Sequence, residues 1–428
     1  MPDITLSTIE KALAINLDPL KYGTVAEIGA GQEVARWFFQ AGAAAGTVAK
    51  TISAYDMKFS DEIYGSEPSG RYVSQSRLER MLTQEFDLII TRIEDHRPDD
   101  STFFAFADTV AARGFRSKGE CHGWMGIRIQ SSPRAEPDDI FLHIRLLDDT
   151  NLEQQEALGV LGVNLIHSAY FLAESLADQP ELFLSSLKDN LKWGRIEIDY
   201  MELHGPTLGL IDAQHIAPEL VKASLTRAVL FNADRDVVMP ADAFYKRSVL
   251  GMRCDIRAGT DADMKMFESA KTAFLAQSGV TEEKSLFLAE ISMSHDEEAE
   301  DFDTKEILSR VEALSDLGFH VLVSKYFRYF RIRQYLARYT REAVALITDV
   351  DGFADVIREE NYEGLVGGFL EGLGKLFPSE TTMYVDLDRN GSGRVMLDDM
   401  TIAEHLRPLV AYLRACGYVV PLDDVAAE

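Results

Sequence analysis

"HVLVSKYFRYFRIRQYLARYTREAVALIT", residues 320–348, reads as strand, helix, strand. HVLVS and VALIT are short apolar runs rich in β-branched residues, the pattern of strands buried on both faces. Residues 328–341 between them have helical period, with Phe330, Ile332, Leu336 and Tyr339 available to pack inward. Two strands joined through a helix are expected to lie parallel.

The same rhythm continues on both sides. Further strands are expected at 228–232 (AVLFN), 285–291 (SLFLAEI) and 382–387 (TMYVDL), with helices at 261–277, 303–317 and 353–377. This alternation predicts a mainly parallel sheet flanked by helices, Rossmann-like in kind. Upstream the pattern is mixed. A helix at 6–20 precedes "AEIGAGQEVARWFF" (26–39), and residues 71–94 have helical period. A strand at 103–107 precedes a hairpin of 124–130 (WMGIRIQ) with 140–147 (IFLHIRLL), joined by turn residues. Thr150 and Glu153 form a capping box that opens an apolar helix, and 195–203 (RIEIDYMEL) reads as a strand. A boundary near His204-Gly205-Pro206 divides the chain into two α/β domains, 1–205 and 206–428.

The 428 residues carry a formal charge of −27, with 46% hydrophobic and 26% charged residues. This is an ordinary globular balance. No run approaches the roughly 20 apolar residues of a membrane helix, and Met1-Pro2-Asp3-Ile4 does not open a secretory signal. A cytoplasmic protein without a membrane partner is expected. The acidic charge disfavours nucleic acid as a partner. Cys121, Cys254 and Cys416 are far apart and odd in number, so they build no disulfide framework and no CxxC metal pair.

In the 26–39 stretch, Glu27, Gly29 and Gly31 fit the opening of a methyltransferase-type cofactor loop, with Asp56 after TISAY placed to hold a ribose. Glu33 occupies the third glycine's place, and the same residues equally make a turn and a helix cap. "GLVGGFLEGLGKLF" (364–377) lacks the glycine and hydroxyl of a phosphate loop. "DLDRNGSGRVML" (386–397) matches the first half of a calcium loop but has Leu397 where a bidentate carboxylate belongs. In "ECHGWMG", Cys121 and His122 are adjacent, so on a strand they face opposite ways and do not pair.

Two groups of residues point to a small anionic ligand. Alternation along the hairpin puts His143 and Arg145 on one face, and a matching register would add Arg128; arginine forks suit phosphate or carboxylate. The second group follows the carboxyl ends of the C-terminal strands, where open α/β sheets bind ligands. It comprises Ser324, Lys325 and Arg328, then His295 after Ser292, then Asp349 and Asp351, with Asn232 and Asp234 after AVLF. In an enzyme, Lys325, Arg328 and Arg145 would hold the anion and His143 or His295 would move protons. Asp349 and Asp351 are spaced to share a divalent metal.

The stretches "AEIGAGQEVARWFF", "AAGTVAKTISAYDM", "CHGWMGIRIQ" and "LEQQEALGVLGVNLIH" resemble a bacterial protein family whose members have carried the label nicotinate-nucleotide adenylyltransferase. The resemblance covers most of the chain. That activity uses an HxGH-type motif, which neither His122-Gly123-Trp124 nor His204-Gly205-Pro206 completes. The resemblance therefore implies a bacterial cytoplasmic protein and no particular residue role. Three readings stay open: an anion- or nucleotide-binding protein, with or without catalysis; a non-catalytic homo-oligomeric assembly protein; and a methyltransferase-like enzyme.

Overall fold

The computed structural model describes residues 5–67, 70–114, 119–254, 261–293, 303–387 and 402–422. They form two compact α/β units, Met1–Thr226 and Arg227–Glu428.

The first unit holds strands β1 (Lys21–Ile28), β2 (Val48–Ile52), β3 (Thr102–Ala111), β4 (His122–Ile129), β5 (Asp138–Leu146) and β6 (Ile196–His204). Its helices are α1 (Thr8–Asn16), α2 (Glu33–Ala41), α3 (Met57–Tyr64), α4 (Gln75–Ile93), α5 (Asn151–Phe171), α6 (Pro180–Leu187) and α7 (Ala213–Lys222). The six strands run in the order β2-β1-β3-β4-β5-β6. β2, β1 and β3 are parallel, as the intervening helices require. β3 to β6 are antiparallel.

Helices cover both faces of this sheet. Thr24 reaches Glu85 of α4, while Phe106, in register with Val25, packs at Gly162 of α5. Neighbouring residues on a strand point oppositely, so α4 and α5 take opposite faces. A Cβ at Gly162 would stand 2.3 Å from Val34 Cγ2, so this glycine sets how closely α5 approaches α2. Helix α7 packs on β6 and α6, which is why the first unit runs to Thr226 rather than ending near 205.

The second unit holds β7 (Ala228–Phe231), β8 (Val237–Val238), β9 (Ser248–Cys254), β10 (Ser285–Ser292), β11 (His320–Ser324), β12 (Val344–Asp349), β13 (Thr381–Asp386) and β14 (Val419–Pro421). Its helices are α8 (Pro240–Ala243), α9 (Asp261–Leu275), α10 (Thr304–Ser315), α11 (Tyr329–Tyr339), α12 (Val350–Val356), α13 (Gly368–Leu376) and α14 (Arg407–Ala415). The eight strands run β14-β13-β12-β9-β10-β11-β7-β8. β9 to β14 are mutually parallel, and their order is the 3-2-1-4-5-6 of doubly wound dinucleotide-binding sheets. The chain winds outward from β9 through β10 to β11, then returns to start again at β12 beside β9. The topological switch point therefore lies between β9 and β12.

Leu286 and Leu288 join the core under α11, α13 and α14, while Phe287 meets Phe267 of α9 on the other face. The segment 353–377 is interrupted rather than one helix: α12 ends at Val356 and α13 begins at Gly368. β7 runs antiparallel to β11, so its carboxyl end lies opposite the other strand ends. Asn232 and Asp234 thus sit at the amino end of β11, where the Asn232 side chain accepts from the Asp234 and Asp236 amides to close a turn. No helix among the described residues is long and apolar enough to cross a membrane.

Candidate functional site

A crevice of about 580 Å³ opens at the switch point of the second unit. β9 brings Arg253 and Cys254 to it, and β12 brings Thr348 and Asp349. The turn from β11 into α11 adds Phe327, Arg328 and Tyr329. This is the position where parallel sheets diverge to either side and leave a gap beyond their carboxyl ends.

The floor is braced by a buried network. Glu290, at the end of β10, accepts from Arg253 Nε at 2.7 Å with one oxygen and from Ser324 Oγ at 2.6 Å with the other. Arg253 also donates to the carbonyls of Tyr326 and Phe327, and its guanidinium lies 4.9 Å from the Tyr329 ring centroid. The Tyr329 hydroxyl donates to Thr348 Oγ1 at 3.1 Å. These bonds tie the carboxyl ends of β9, β10, β11 and β12 together and fix the turn that carries Arg328.

Arg328 itself differs from its neighbours. Its guanidinium stacks 3.9 Å from the centroid of Phe327, and among the described residues no carboxylate pairs with it and no hydrogen bond uses it. Partial burial pulls its pKa below the ordinary arginine value, against the attraction of Asp355. Arg358 in the same wall is engaged by Asp355 at 3.0 Å. Burial, with Asp263 and Glu290, pushes the Cys254 thiol up to about 12.

The other residues expected at these strand ends have different positions. Ser324 and Lys325 do not line the crevice. The Ser324 hydroxyl is committed to Glu290, and the Lys325 amide bonds the Arg227 carbonyl. Asp349 reaches the crevice, but its carboxylate accepts the Gly352 amide at 2.7 Å and caps α12. Asp351 is exposed and outside the lining. Among the described residues no cluster of three or more His, Cys, Asp or Glu side chains is arranged to hold a metal. His295 lies outside the described residues, as does most of the calcium-like stretch 386–397.

In the first unit, the register puts Arg128 opposite Asp139 and His143 opposite Trp124, so Arg128, His143 and Arg145 do share a face. The face is not basic. Asp139 holds Arg128 through both of its oxygens at 2.7 Å. Arg145 pairs with Glu120 at 2.8 Å and lies 4.0 Å from Glu197. His143 bonds Asp199 at 2.5 Å and His122 at 3.1 Å. Glu197 and Asp199 come from β6 and Glu120 from just before β4, while Asp139 belongs to β5 itself, one residue before the strand expected at 140–147.

The glycine loop after β1 folds on itself. Glu27 accepts the Val34 amide at 2.9 Å and the Ala35 amide at 3.1 Å. Its carboxylate thus occupies the α2 N-terminus, where a bound anion would otherwise sit. Gly29 and Gly31 hold φ of 101° and 90°. Asp56 is the N-cap of α3, accepting from Phe59 at 2.8 Å. Asp108 lies beside Glu27 on β3, and burial pushes Glu27 up to about 7 and Asp108 well above the carboxylate range.

Comparison with protein-family models and with curated proteins finds no match. Among solved structures, a competence or damage-inducible protein from Enterobacter asburiae is 15% identical, with a TM-score of 0.29, over 39% of this chain and 99% of its own. A competence-damaged protein (CinA) superfamily protein from Enterobacter cloacae is 15% identical, with a TM-score of 0.29, over 40% of this chain and 96% of its own. The competence/damage inducible protein CihA from Agrobacterium tumefaciens is 18% identical, with a TM-score of 0.28, over 38% and 96%. None of them lends support to the adenylyltransferase label.

Proposed function

We propose that the second unit binds a small anionic, nucleotide-like ligand in the crevice between β9 and β12, with Arg328 holding its phosphate or carboxylate. The observation that carries this reading is Arg328: a half-buried guanidinium on the crevice wall, without an anionic partner among the described residues. A cation shielded from water gains most from an anion that arrives. Phe327, Tyr329 and Tyr362 give the same crevice aromatic surface, as cofactor sites commonly have. Arg253 is paired with Glu290 and bonded to the Tyr326 and Phe327 carbonyls, so its part is to position the Arg328 turn.

The test is a thermal-shift screen of the purified protein with AMP, ADP, inorganic phosphate and small dicarboxylates, repeated on Arg328→Ala. Ligand at a hundred times its Kd raises stability by about 2.7 kcal/mol. Loss of a charge-assisted bond of about 1.5–3 kcal/mol weakens binding by roughly 10- to 100-fold. A stabilising ligand whose effect survives Arg328→Ala contradicts the assignment, as does the absence of any stabilising anion.

A further inference from the structure

The first unit holds a chain of three side chains that this ligand site does not use. His143 on β5 is 4% exposed and sits between β4 and β6. Its Nδ1 lies 2.5 Å from Asp199 Oδ1, and its Nε2 lies 3.1 Å from His122 Nδ1. Asp199 is buried, and its Oδ2 has no hydrogen-bond partner among the described residues. His122 is half-buried at the start of β4, so the chain runs from inside the sheet toward its surface. Trp124 walls the inner ring, its centroid 5.1 Å from that of His143, and Tyr200 packs edge-on against Trp124 at 5.9 Å.

With Asp199 ionised and His143 neutral, hydrogen-bond chemistry sets the tautomers. An ionised Asp199 only accepts, so His143 Nδ1 carries a hydrogen. Neutral His143 then offers a lone pair at Nε2, which takes the Nδ1–H of His122. His122 is left with a lone pair on Nε2, the one ring nitrogen the chain does not consume. A buried histidine needs a partner at each ring nitrogen, and Asp199 and His122 supply both for His143. Here the chain continues through a second imidazole to a half-buried position.

We propose that His122, His143 and Asp199 form a proton relay whose outer end, His122 Nε2, is a general base for a water or hydroxyl group. The O–H bond breaks and its proton forms an Nε2–H bond on His122. The His122 Nδ1–H bond breaks as a His143 Nε2–H bond forms. The oxygen keeps the electron pair, and the positive charge comes to rest on His143 against the Asp199 carboxylate. The substrate class is a neutral O–H nucleophile used in hydrolysis or addition.

The groups facing His122 are His143, Arg145, Glu120 and Asp199. Burial, His143 and Arg145 lower its pKa, while Glu120 and Asp199 oppose them. A neutral, accepting His122 at neutral pH is what a base requires.

Long-range ¹⁵N–¹H NMR of histidine-labelled full chain tests this directly. The relay predicts His122 with hydrogen on Nδ1 at high pH. On acidification, one proton uptake converts His122 to the Nε2–H tautomer and His143 to imidazolium together. Hydrogen on Nε2 of His122 at high pH overturns the proposal, as does protonation of His122 alone. Diethyl pyrocarbonate supplies a second reading. Asp199→Asn slows acylation of His122 by about tenfold or more if the chain sets its basicity. Equal rates in the folded variant and wild type overturn the relay.

Discussion

Replacing Glu290 tests how the crevice is built. The Glu290 side chain is 3% exposed and that of Arg253 is 22% exposed. Glu290→Leu leaves Arg253 Nε and Ser324 Oγ without their acceptor. Stripping one partner from a buried ion pair costs about 3–5 kcal/mol. Arg253 keeps two backbone carbonyls and some water, so the loss falls near the low end, about 3 kcal/mol. In a unit of this size that lowers Tm by roughly 6–12 °C. Glu290→Gln keeps one acceptor oxygen and costs about 1–2 kcal/mol. Urea denaturation of both variants gives the two losses. The Gln variant, still folded, should also lose affinity for the crevice ligand, because a neutral amide oxygen anchors Arg253 less firmly than the carboxylate does, and Arg253 holds the Tyr326–Phe327 turn ahead of Arg328. A loss under about 1 kcal/mol for Glu290→Leu, the range of an exposed pair, would refute the network as a brace.

Three further outcomes are expected. Gly29→Ala forces a side chain onto φ of 101° with its Cβ 1.9 Å from the Val110 carbonyl oxygen, and urea denaturation should show a loss of about 2 kcal/mol or more. Folded Glu27, raised to about 7 by burial, holds its proton more tightly than the unfolded chain does; the stability this supplies is complete below the unfolded value and is lost as pH rises through about 7, so wild-type stability minus that of Glu27→Gln should fall between about pH 5 and pH 8 in urea titrations. Iodoacetamide should label exposed Cys416 in the folded protein and spare buried Cys121 and Cys254, with mass spectrometry showing all three labelled after denaturation.

Much of the second unit's architecture follows from its sequence, because strands buried on both faces leave uninterrupted apolar runs. The exceptions are the short edge strands β8 and β14 and, at the switch point, β9. Gly251 breaks the run SVLGMRC and Arg253 makes its end look polar. Both have local reasons: a Cβ at Gly251 would lie 3.2 Å from Leu346 Cδ2, and Arg253 is neutralised by Glu290 from the neighbouring strand. Arg328 is visible in the sequence as a strand-end cation, but so is Lys325, with Ser324 beside it. What separates them is who else competes for each group, and those partners are distant in sequence. The same holds for Glu27, whose carboxylate serves the helix that follows it. His122 stood in plain view beside Cys121. Its partner is His143, which the pairing of β4 with β5 supplies.

The most direct test of the central claim is a crystal structure of the protein soaked with ADP or phosphate. The account predicts an anionic group in the crevice between β9 and β12, within hydrogen-bond distance of the Arg328 guanidinium. An anion bound elsewhere, with the crevice holding water alone, would contradict it.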